Sequence, residues 1–188
     1  MLKAPIIQIP DRVDFVHNKE YFGALLFGEN RPLNAIEISH IFSLMETKQL
    51  LMVLNLGYGQ IVKSNKIKDF ISQAIQLSDK QLSKLGSLLT NENLPVPTSI
   101  GDFVANSTES SHSDKLILSH VTVVIGYIVA EYGMALTNSA RKDLAITYSK
   151  FLVEVVSMAK DGAELMIESG WLEKVPETTD RKKLITPH

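Results

Sequence analysis

No cysteine occurs among the 188 residues, and tryptophan occurs once. The first absence removes disulfides, Cys-based zinc sites, iron–sulfur clusters and thiol nucleophiles together. It suits a reducing compartment. An excess of charge is also missing: 19 basic residues stand against 21 acidic ones, a net charge of −2. Nucleic acid is therefore not an expected partner, because that grip needs clustered positive charge. There is no Gly-rich phosphate loop, no nucleophile elbow and no His-Glu-x-x-His. Ser139-Ala140-Arg141-Lys142 and Ser157-Met158-Ala159-Lys160 match Ser-x-x-Lys without the partner motifs of a serine acylase. The opening residues Met1 to Pro5 lead into a short apolar stretch that Pro10 and Asp11 break, which does not read as a secretion signal.

What is present is apolar and helical. Hydrophobic residues make up 45% of the chain. A chain of this length suits one domain that buries roughly 70% of its unfolded surface, so it needs no covalent staple. Pro5 and Pro10 mark residues 1–33 as a lead-in, with a short helix expected from Asn18 to Leu26 and a turn at Glu29-Asn30-Arg31-Pro32. The bundle proper is expected over residues 34–171, and residues 172–188 as a polar surface tail.

Four helices are expected. The first opens at Asn34, with Glu37 at the N3 position of a capping box, and ends near Leu56 before Gly57 and Gly59. Its stripe holds Glu37, Ile41, Leu44, Lys48 and Leu51, with His40 beside it. The second runs from Asn65 to Thr90 and is plainly amphipathic. Leu94-Pro95-Val96-Pro97 then forbids helix, and the stretch to His112 is too long for a simple turn. It suits a crossover that sets the third helix parallel to the second, the ferritin-like up-down-down-up order. The third helix follows Ser113-Asp114 and is apolar nearly all round, as a fully buried helix would be. Leu116 to Leu136 is long enough to span a bilayer, but Glu131 within it and its amphipathic neighbours favour burial in the bundle over a membrane span. The fourth helix runs from Ser139 to Ser169, with Gly170 as its C-cap and Trp171 folded back.

Four helices with a crossover raise the question of a carboxylate-bridged metal site. Such centres use a Glu from two helices and a Glu-x-x-His from the other two, because that spacing puts both side chains on one helical face. Glu37-Ile38-Ser39-His40 is one such pair, and no second exists. In the crossover topology Glu131 comes to the same end, so Glu37, His40 and Glu131 are the candidate metal ligands, with His120 and Tyr148 as alternates. The ion would be Fe, Mn or Zn. Glu164 and Glu168 turn away from the apolar stripe of helix four, Glu154 sits at its edge, and helix two offers no inward carboxylate. A complete di-metal centre is therefore not expected, and nor is any other cofactor. The plain readings are a helix-capping Glu37 and a partly buried His40. The β-branched run Val121 to Val129 raises the further prospect of an apolar ligand between helices.

Several local patterns together resemble a known family. They are Leu33-Asn34-Ala35-Ile36-Glu37-Ile38, Asn93-Leu94-Pro95-Val96-Pro97, Ser113-Asp114, Ser139-Ala140-Arg141-Lys142-Asp143-Leu144, and Gly170-Trp171-Leu172 before Pro176. They resemble an uncharacterised bacterial family from endospore formers, some of whose members carry the label of spore coat protein. The resemblance covers about residues 30–176. It implies a ferritin-like four-helix bundle with no established activity, and His40 is not part of its pattern. The expected role is structural or interactive and linked to sporulation, in the cytoplasm with deposition in the spore. The expected partners are further copies of the chain or other proteins.

Overall fold

The computed structural model describes residues 13–23, 30–98 and 104–185. These are helical and irregular, with no strand among them. A 3-10 turn at Lys19–Phe22 precedes four long helices: α1 Ala35–Ile61, α2 Asn65–Thr90, α3 Asp114–Asn138 and α4 Lys142–Glu168. A fifth, α5, spans only Arg181–Ile185, is wholly exposed, and was not anticipated. The helix expected from Asn18 to Leu26 is reduced to the 3-10 turn; residues 24–26 lie outside the described residues.

Local chemistry fixes the ends. Asn34 Oδ1 accepts from the Glu37 N–H at 2.9 Å, and the Glu37 carboxylate accepts from the Asn34 N–H at 3.0 Å, a complete capping box. Ser113 caps α3 through the Leu116 N–H. At the end of α4, Trp171 N–H donates to Met166 O and Gly170 N–H to Ile167 O, with Gly170 at φ 67°. That is the paired Schellman pattern, and the left-handed residue is the glycine.

Three expectations need correction. Gly57 and Gly59 do not end α1, which runs on to Ile61. Both glycines are packed: a Cβ at Gly59 would lie 3.6 Å from Ile71. Packing of this kind outweighs the modest helix penalty of glycine. α4 begins at Lys142 with Arg141 as its N-cap residue, not at Ser139. Third, α3 is not buried all round. Leu116, Val123, Tyr127 and Met134 are each more than half exposed. By length and composition alone α3 could cross a membrane, yet here it packs one side on α1 and α4.

Contacts fix the topology. α2 meets α1 and α4, and α3 meets α1 and α4. Ser43 reaches Glu131 while Tyr58 reaches His120, so α1 and α3 are antiparallel. Lys66 pairs with Glu168 and Lys80 with Glu154, so α2 and α4 are antiparallel. Asp114, opening α3, accepts from the backbone N–H of Lys63 and Ser64, just before α2. Hence α2 and α3 start at the same end and run parallel, in up-down-down-up order. The core between them holds Ile41, Leu44, Ile71, Leu85, Ile117, Ile125 and Leu144, all essentially solvent-free.

Candidate functional site

Two polar assemblies interrupt this apolar core. The first closes the end where α1 begins. Glu37 is fully buried, and five donors converge on its carboxylate. Arg31 binds both oxygens at 2.8 Å, Asn34 N–H binds Oε2, and the N–H groups of Ala140 and Arg141 bind Oε1 at 3.1 Å. Burial by itself raises the pKa of this carboxyl, but the guanidinium and backbone donors outweigh it and hold the group below the usual carboxylate range. Arg141 extends the assembly. It pairs with Glu92 at the end of α2 and with Asp143 at 2.8 Å, and donates to the Arg31 carbonyl. Glu92 also accepts from the Leu33 N–H. Arg31 lies over the Tyr21 ring at 4.1 Å, which ties in the lead-in. The cluster therefore joins the lead-in, α1, α2 and α4, with its charges paired.

The second assembly crosses the middle of the bundle and draws on all four helices. Ser43 donates to Glu131 Oε1 at 2.9 Å, and Glu131 Oε2 is buried without a hydrogen bond. Lys48, only 1% exposed, places Nζ 5.3 Å from the centre of the Tyr132 ring. Tyr132 donates to Gln81 Oε1 at 3.0 Å, Gln81 donates to Glu154 at 2.9 Å, and Lys80 closes the series at the far surface. Burial pulls the Lys48 amine down to about 7, with Glu131 and Glu154 opposing the shift. Burial likewise pushes the Tyr132 hydroxyl well above its ordinary value. Beside Lys48 lies a cavity of about 10 Å³ lined by Ser78, Ala74, Ile125 and Met158 among others. That is roughly room for one water and no larger ligand, which leaves the apolar ligand considered between the helices no space there.

The structure does not bring Glu37, His40 and Glu131 into one site. Among the described residues no three His, Asp or Glu side chains converge as a metal would require. The physical reasons are specific. The lone pairs of Glu37 are taken by five donors. Glu131 reaches α1 at Ser43, six residues on, about 9 Å along the axis. His40 is half-buried, one helical turn on from Glu37. Of the alternates, Tyr148 is buried in the core with its hydroxyl pushed up by burial, and His120 is exposed at the other end, 2.7 Å from the Tyr58 hydroxyl. On α4, Glu164 is exposed and paired with Lys160, Glu168 with Lys66, and Glu154 turns to α2. Sequence reasoning placed Lys48 on the inward stripe but missed its role, and it missed Tyr132 and Gln81. A lysine on an otherwise apolar stripe, at the level of an inward Glu on another helix, was the available signal.

This geometry defines an all-helical bundle with a polar layer across its middle. The chain matches, over residues 21–184, the model of the family described as protein of unknown function (DUF3231), and it belongs to that family. It is similar in fold to the crystal structure of a putative spore coat protein from Bacillus halodurans, with a TM-score of 0.72 and 19% identity. The likeness covers 80% of this chain and 98% of that one. At that identity it concerns the fold alone. None of the curated proteins matches the chain.

Proposed function

We propose that this protein is a structural or interaction protein associated with sporulation, of the spore coat type, and not an enzyme. The observation that supports the reading is the closed polar interior. Its buried carboxylate Glu37 is saturated by protein donors, and its interior cation is a lysine. The interior space beside Lys48, about 10 Å³, is too small for a substrate; the larger clefts, such as one of about 330 Å³ against Tyr58 and His112, open at the surface away from this polar layer. The fold shared with the Bacillus halodurans protein supports the link to the spore. The test is immunodetection in fractions of a sporulating culture of the source organism. Recovery with the coat or cortex fraction supports the role; absence from every spore fraction overturns it.

A second reading, a metal-binding bundle or oxidoreductase, keeps one observation in its favour: Glu131 Oε2 is a buried carboxylate oxygen without a hydrogen bond. Metal that co-purifies with the protein and is lost in Glu131→Gln would establish it.

A further inference from the structure

The outer face of α3 exposes large apolar residues, as does that of α4. Whereas Gly162 of α4 is tightly packed, however, the α3 face also carries unpacked glycines. Its apolar character reaches solvent, and its small residues face nothing. A Cβ built on Gly126 or on Gly133 would meet no atom within 4 Å. Glycine in a helix interior is a destabilising choice relative to alanine, and no contact among the described residues explains either one. At 100° per residue Gly126, Ala130, Gly133 and Thr137 form one line. Leu116, Val123, Tyr127 and Met134 form a second line beside it, with exposures of 53%, 70%, 57% and 56%.

The two lines are arranged along the helix in a telling way. The large residues are spread along α3, two on each side of its midpoint, while Ala130, Gly133 and Thr137 lie in its second half. Set against a second α3 running the opposite way, with its centre between Gly126 and Tyr127, Leu116 comes opposite Thr137 and Val123 opposite Ala130. Tyr127 comes opposite Gly126. Each large residue meets a small one, which is the self-complementarity that a two-fold interface requires. Charge points the same way. Glu131 turns inward, so on α3 itself His120 and the Tyr127 hydroxyl are the ionisable groups of this face between Lys115 and Arg141. Two copies therefore meet without repulsion, and a strongly charged partner finds nothing to hold.

The area is adequate. Leu116 to Thr137 extends about 30 Å. Leu50 borders the strip on α1, between the Ser43–Glu131 and Tyr58–His120 contacts, and is 51% exposed. Val156 borders it on α4, on the side away from Glu154 and α2. A strip that long and on the order of 20 Å wide has a footprint on the order of 600 Å². That approaches the roughly 800 Å² per partner of a stable interface and sits at the upper end of the roughly 300–600 Å² of the largest patch on a typical monomer.

We propose that two copies of this chain associate through α3, packed antiparallel about a two-fold axis near Gly126 and Tyr127. This inference stands apart from the spore reading and survives its failure. The test is sedimentation equilibrium on the full chain, with Val123→Glu and Gly126→Leu beside the wild type. The wild type sediments at twice the monomer mass. Each variant keeps its helical circular dichroism and weakens association by at least about tenfold. Gly126→Leu is the sharper probe. Its Cβ meets no atom of the described residues within 4 Å, so a loss of association with the fold intact points to a neighbouring copy. A wild type that stays monomeric at every attainable concentration overturns the proposal. A dimer that survives both substitutions does so as well, by placing the interface elsewhere. Flotation of the monomeric wild type with phosphatidylglycerol vesicles would show the strip to be a membrane face and would equally overturn it.

Discussion

The ammonium of Lys48 lies 5.3 Å from the centre of the Tyr132 ring, in the middle of the bundle. Glu131 lies on the same layer and favours the charged form of the lysine against the pull of burial. The aromatic face and Glu131 compensate part of its lost hydration.

A pH dependence follows from this burial. The folded-state amine is lowered to about 7 from a usual value of 10.5. Between those values the unfolded chain binds the extra proton, so stability rises as pH rises through 7 towards 10. Urea unfolding between pH 7 and 10 should show this rise, and Lys48→Met with Glu131→Gln should remove it. Replacing both groups avoids stranding the carboxylate, and at pH 7 the double variant should be at least as stable as the wild type, by up to about 4 kcal/mol. A parallel rise in both proteins would contradict the assignment.

Glu37 predicts the opposite limb. Its carboxyl is held below the usual value, so its contribution is present above the unfolded-state pKa and disappears as pH falls through the folded value. Glu37→Ala should cost about 3–5 kcal/mol at neutral pH, since Arg31 and three backbone N–H groups lose their acceptor. The variant's stability should also fall less steeply than the wild type's below about pH 4.5. A loss under 1 kcal/mol in chemical denaturation would show the cluster to be peripheral.

Much of this was legible beforehand, and the failures have physical causes. The capping box at Asn34 and Glu37 was readable because both partners lie within one helical turn. The crossover was readable because Pro95 and Pro97 forbid helix and the connection is long. Which donors surround Glu37 was not readable, because Ala140 and Arg141 arrive from more than a hundred residues away. The acid therefore looked free to bind a metal. α3 misled for another reason. Composition reports that a helix is apolar, not how many sides of it are covered, and Val123 and Tyr127 turned out to face solvent.

Packing between α3 and α4 gives a sharp steric prediction. A Cβ at Gly162 would stand 2.6 Å from Thr122 Cγ2 and 3.0 Å from Phe70 Cζ. Thr122 has little freedom to move, since its hydroxyl bonds the carbonyls of Leu118 and Ser119. Gly162→Ala should therefore lower stability by about 1–3 kcal/mol despite alanine's better helix propensity. Thermal unfolding checks it, and a raised Tm would show the seam to be looser than described.

The most direct test is elemental analysis of the wild-type protein purified without chelator, with Lys48→Met and Glu131→Gln alongside. With Lys48 as the interior cation, Fe, Mn and Zn together should stay below about 0.1 equivalent in the wild type. Near-stoichiometric metal in the wild type, lost in Glu131→Gln, would contradict this and make the bundle a metal protein.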